Sequence, residues 1–125
     1  MVIDERTIEE KPLPGRYMRW LLTPETTGND RSSMCVIRVM PGQAVKPAHA
    51  HPEGDELVYI VHGSGRVMID GEISPVREGC LIHFPQGSIH ILQNTGDTEL
   101  KAACFFSPAA DLSTYKFYED VELPD

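Results

Sequence analysis

Features that mark secreted, membrane-spanning or nucleic-acid-binding chains are scarce in this sequence. Its three cysteines, Cys35, Cys80 and Cys104, are odd in number and far apart, so they form neither a C-x-x-C pair nor a disulfide framework. The longest unbroken apolar runs, Leu57–Val61 and Ala102–Phe106, have five residues. A membrane-spanning helix needs about 20. The opening stretch MVIDERTIEEK is charged and lacks the apolar run of a signal peptide, so a cytoplasmic location is expected. Basic residues are few: 11 Lys and Arg against 19 Asp and Glu leave a net charge of −8. An acidic chain without a basic cluster repels phosphate backbones, which argues against a nucleic-acid partner. Helical periodicity is nearly missing too. No long window keeps apolar residues at helical spacing without a Gly or Pro break; residues 3–10 allow two helical turns and the stretch from Asp111 allows one.

What is present is ordinary globular composition, 41% hydrophobic and 24% charged residues in a chain of 125. That excludes disorder and fits a single domain, residues 1–125, with one core. Ten Gly and ten Pro punctuate the chain at short intervals. Between them lie β-favouring runs such as MCVIRVM, ELVYIV, RVMID, CLIHF, HILQN and LKAACFF. Short strands with a turn every eight to twelve residues predict an all-β sandwich or barrel. Asp70–Gly71 between two such runs predicts a type I′ hairpin. The acidic ends read as solvated termini.

The chemistry-bearing residues centre on the histidines. His49 and His51 lie between Pro47 and Pro52, which disfavour helix, and in extended chain they point to the same side. Two imidazoles so placed can converge on a metal. Glu53, Asp55 and Glu56 follow. After the break at Pro52–Glu53–Gly54, Glu56 shares a face with Val58 and Ile60; a carboxylate facing an apolar side must be paired, protonated or metal-bound if buried. Periodicity alone does not choose among the three acids. His90, after the Pro85–Gly87 turn, sits in an apolar strand.

In order and spacing these residues resemble the cupin family. The first motif reads Gly42-QAVKPA-His49-A-His51-PEGD-Glu56-LVYIVH-Gly63, with one extra residue between Gly42 and His49. The second reads Gly79-CLIHF-Pro85-Q-Gly87-SI-His90-ILQ-Asn94. The resemblance implies a small double-stranded β-helix, or jelly-roll barrel, with a core at about 33–107 and N- and C-terminal arms. It implies one divalent transition metal held by His49, His51, Glu56 and His90, and it selects Glu56 among the three acids. Mn, Fe, Ni, Cu and Zn all suit this donor set. Val58, Ile60 and Cys104 are expected to line the pocket.

The function expected is a metal-dependent enzyme acting on a small organic molecule. Dioxygenase-type oxidative cleavage is favoured, with Lewis-acid isomerase, cyclase or lyase chemistry second. A non-catalytic ligand-binding or sensing module is the third reading. Tyr17 and Tyr59 are weak candidates for acid–base work, His62 and His83 read as structural or surface residues, and Arg38 needs a carboxylate from the fold or the substrate. A homodimer is expected, with Trp20, Tyr115, Phe117 and Tyr118 of the arms available to form it.

Overall fold

A computed structural model describes residues 1–125. Eleven strands follow one another: β1 (Lys11–Leu13), β2 (Arg16–Leu22), β3 (Ser33–Val39), β4 (Ala48–Ala50), β5 (Asp55–His62), β6 (Ser64–Ile69), β7 (Glu72–Arg77), β8 (Leu81–Phe84), β9 (His90–Asn94), β10 (Leu100–Ser107) and β11 (Lys116–Tyr118). They form a six-stranded sheet in the order β1-β2-β3-β10-β5-β8 and a five-stranded sheet in the order β11-β4-β9-β6-β7, with every pairing antiparallel. This is the expected jelly roll, with one correction. No strand is shared between the sheets, so the molecule is a two-sheet sandwich rather than a closed barrel. Two of the edges have a visible cause: Pro12 in β1 and Pro75 in β7 lack the N–H that a further ladder would use.

Alternation places the core. In β5, Glu56, Val58 and Ile60 are buried, whereas Leu57, Tyr59 and Val61 are 40–44% exposed on the outer face. In β10, Leu100, Ala102, Cys104 and Phe106 point inward with Cys35, Ile37 and Val39 of β3. Together with Val67 and Leu92 of the other sheet they belong to one cluster of 16 buried apolar residues.

Local turn chemistry matches the sequence. Asp70 and Gly71 both take positive φ, 49° and 86°, and join β6 to β7 as a type I′ hairpin requires. Gly15, with φ 78°, turns β1 into β2; a Cβ there would lie 1.6 Å from the Ala44 carbonyl oxygen. That close approach locks the start of β2 against the loop preceding β4. Each expected helical segment is a single 3₁₀ turn, Glu5–Thr7 and Leu112–Thr114, capped by Asp4 and Asp111.

The terminal arms are more than expected. Residues 11–22 add two strands to one sheet and β11 adds one to the other. Their aromatics largely pack on the domain itself: the Trp20 ring lies 5.6 Å from Phe106, and Tyr118 packs against a small cluster of Ala48, Met68 and Ile91. No helix is long and apolar enough to cross a membrane.

Candidate metal centre

Three strands deliver four ligand-type side chains to one point. His49 is the middle residue of β4, and His51 follows just beyond its end. Glu56 comes from the inward face of β5, and His90 begins β9 directly across from His49 in the β4–β9 pairing. All four are buried, and one potential ligand atom from each lies within 4.8 Å of the other three. The structure thus brings together the four residues named from the sequence. Glu53 and Asp55 stay outside and exposed; Asp55 accepts hydrogen bonds from the Gln86 amide at 2.8 Å and from His83 at 3.3 Å.

The protonation pattern follows from geometry. His49 Nδ1–H donates to the Pro47 carbonyl at 3.2 Å and His90 Nδ1–H to the Ser88 carbonyl at 3.1 Å. Carbonyls only accept, so each Nδ1 carries the proton and each Nε2 presents a lone pair. His90 Nε2 is buried without a hydrogen-bond partner and lies 3.2 Å from Glu56 Oε1, an acceptor facing an acceptor. His51 Nε2 lies 2.9 Å from the same oxygen. Lone pairs and a carboxylate converging in a dry space repel one another unless a cation sits among them. The site therefore fits a metal ion, and the backbone carbonyls behind the imidazoles supply the outer-shell orientation that ligating histidines need.

Electrostatics keep the groups in ligating form. Burial pushes His49 down to about 3, so its imidazole is neutral at ordinary pH. Burial would raise Glu56, but the imidazoles of His51 and His90 against it outweigh burial and bring the carboxyl to about 2. The Cys104 thiol is pushed well up by its neighbour Cys35 and by burial, so it is a neutral lining group rather than a thiolate ligand.

A small cavity of about 30 Å³ adjoins the group, with room for roughly one water. Val58 and Cys104 line it, together with Ile37, Phe84 and Leu92. Ile60 shares the Glu56 face but is fully buried in the core and does not line the cavity. Aromatic rings clamp the imidazoles: Phe84 stacks on His90 at 3.7 Å and Tyr115 stacks on His49 at 5.0 Å while meeting His51 edge-on at 4.3 Å.

Tyr115 and Arg16 are the residues that sequence reading missed at the site. Tyr115 belongs to the C-terminal arm, and burial raises its phenol far above the usual range, so it stays protonated. Arg16, the first residue of β2, is 6% exposed and faces inward beside Met18. The alternation Arg16/Met18 after the Pro14–Gly15 turn was the available signal for the arginine; none existed for the tyrosine. The remaining candidates lie elsewhere. Tyr17 and Tyr59 are on the outer surface, His62 and His83 are exposed, and Arg38 finds its partners within the fold, in Glu10 and Glu99.

Comparison with known proteins agrees with this geometry. The family model described as "Cupin domain" matches residues 35–106. The polyketide synthase protein CurC of Streptomyces cyaneus is 35% identical over 109 residues, covering 87% of this chain and 70% of its own. A predicted oxalate decarboxylase of Thermotoga maritima superposes with a TM-score of 0.79 at 24% identity, over 86% of this chain and 99% of the other. RemF, a polyketide cyclase of Streptomyces resistomycificus, gives 0.73 at 19% identity, over 86% and 78%. At these identities the two solved structures speak to the fold alone.

Proposed function

Because the chain belongs to the cupin family, we propose that it is a metal-dependent enzyme acting on a small organic molecule, with one divalent transition ion held by His49, His51, Glu56 and His90. The observation that carries this reading is the unprotonated, partnerless Nε2 of His90 facing the Glu56 carboxylate inside a buried group of four donors. Mn, Fe, Ni, Cu and Zn all fit three imidazoles and one carboxylate. A cytoplasmic setting accords with three free cysteines.

For the reaction, Lewis-acid ring closure of a poly-carbonyl compound is the reading with most support, since CurC, a relative that aligns over 87% of the chain, is named for polyketide synthesis. A bound divalent ion would supply Lewis acidity, withdrawing electron density from a substrate carbonyl and favouring its enolate. The chain's own residues then have defined work. Pro47 and Ser88 hold the imidazoles in the ligating tautomer. Phe84 and Tyr115 exclude water and fix the rings. Ring closure of this type joins an enolate carbon to a distant carbonyl carbon, moves a proton to the new alkoxide and releases water, so no oxidant is consumed.

Oxidative cleavage is the competing chemistry, and one experiment separates the two. Metal-stripped protein is reloaded with Zn or with Fe and given a linear triketone under argon or air. Cyclised product with Zn under argon is expected. Oxygen uptake with Fe, and no product with Zn, would overturn ring closure in favour of a dioxygenase; no activity and no bound metal under any condition would leave a ligand-binding module.

The homodimer reading moves from the arms to a sheet face. Leu57, Tyr59, Val61, Leu81 and Phe105 leave an exposed apolar row on the outer side of the six-stranded sheet, the surface on which a second copy would dock. Light scattering that returns the mass of one chain at micromolar concentration would remove it.

A further inference from the structure

Arg16 is the only buried arginine, and it has no carboxylate within ion-pair distance. Its Nη1 donates to the Pro14 carbonyl at 3.1 Å and the Lys46 carbonyl at 3.3 Å. Nε is shielded from solvent without a partner, and no hydrogen bond is made by Nη2. The free Nε–Nη2 edge is the side of a guanidinium that grips a carboxylate with two parallel hydrogen bonds. The two carbonyl contacts tie the β1–β2 turn to the loop before β4, yet any neutral donor could make them. They do not account for a full charge.

Burying a cation without a counter-charge is costly, and here burial lowers the basicity of Arg16. The chain has 19 acidic residues from which a partner could have come. The titratable groups around Arg16 are Tyr115, Cys35, Cys104 and Glu56. Burial keeps the phenol neutral, Cys104 is held as a thiol, and Glu56 is engaged by His51 and His90.

A cleft of about 290 Å³ opens on Arg16 and is bounded by Lys46, Pro47, Leu112, Phe117 and Glu119. Two of these residues adjoin the metal group: the Pro47 carbonyl takes the His49 Nδ1–H, and Phe117 is the register partner of His49 in the β4–β11 pairing. Tyr115, two residues before Phe117, stacks on His49. The cleft that Arg16 lines and the ligand group thus share the C-terminal arm as a common wall.

We infer that Arg16 anchors the carboxylate of an anionic carbonyl substrate that enters by this cleft and whose carbonyl end reaches the His49–His51–Glu56–His90 group. The destination of the carbonyl end rests on the metal-dependent reading above; the anchor does not.

The test uses acetoacetate and its uncharged analogue acetylacetone as probes, with calorimetry on metal-loaded and chelator-stripped protein. Wild type should bind acetoacetate at least about tenfold more tightly than Arg16→Met does, while acetylacetone binds both equally. Arg16→Lys, which keeps the charge but loses the fork, should fall between them. Metal content by elemental analysis should be the same in all three proteins. Should Arg16→Met fail to fold, the wild-type Arg16 Nε–H resonance gives the answer without a variant, shifting on titration with acetoacetate and not with acetylacetone. Equal acetoacetate affinity in wild type and Arg16→Met, or an unmoved Nε–H resonance, overturns the anchor. Absence of metal from wild type overturns the metal reading instead, and the stripped-protein comparison still decides the anchor.

Discussion

On the outer face of the six-stranded sheet, Arg38 of β3 is clamped between Glu10 and Glu99 and lies over the Tyr17 ring at 4.8 Å. One strand away on the inner face, Arg16 is buried with only carbonyls as hydrogen-bond partners. Glu56 repeats the inner pattern with opposite sign: its neighbours are imidazoles rather than a lysine or arginine. Outside, charges neutralise one another within the fold. Inside, they are held by neutral groups and left able to attract a further ion. That difference separates an ion pair of structural use from charges disposed for binding.

The largest effect should come from breaking the inner group. His90→Ala or His49→Ala is expected to reduce the bound transition metal from about one equivalent to almost none, measured by elemental analysis, because ligand loss costs more than the roughly 10- to 100-fold of an outer-shell change. Metal retained in both variants would mean that the four donors are a polar core and nothing more.

A smaller effect should distinguish the two arginines. Arg38→Met is expected to lower stability by about 1 kcal/mol or less, seen as a drop of a few degrees in melting temperature, since its partners are partly exposed. Arg16→Met is expected to leave the melting temperature unchanged or raise it. It removes a buried unpaired charge, and the Pro14 and Lys46 carbonyls belong to exposed residues that water can satisfy. A larger loss at Arg16 than at Arg38 would reassign Arg16 as a strut.

The smallest effect concerns pH. The hydrogen bond from Arg38 holds the Glu10 carboxyl below the usual 4.5. The folded value is lower than the unfolded one, so this contribution is complete above about pH 4.5 and is lost as pH falls through the depressed value. Melting temperatures measured in that acid range should decline less steeply in Arg38→Met than in wild type.

Only part of the ligand set was legible from local geometry. Pro47 and Pro52 force the chain to be extended around His49 and His51, but periodicity left Glu53, Asp55 and Glu56 open, and the motif resemblance selected Glu56, which the folded chain turns inward beside Val58. His90 was legible only through its spacing within the second motif, since its approach to His49 depends on β4 pairing with β9. Tyr115 and Arg16 were not read as site residues because both lie in segments taken for arms. The position of Tyr115 depends on a three-residue strand meeting β4 from the far end of the chain, which no local pattern encodes. The open sandwich was not legible either, because only the folded topology reveals which strands lie at the edges.

The place of β10 has a consequence for how the molecule comes to exist. It lies between β3 and β5, pairing along nearly its whole length with both, yet it is made after either of them. Until Leu100–Ser107 has been synthesised, β3 and β5 each face a gap, and the wall that carries Glu56 has no neighbour on that side. During translation the metal ligands of β4 and β5 would therefore emerge long before the sheet that orients Glu56 can close. Assembly should be slow and late, governed by long-range strand docking rather than by local hairpins.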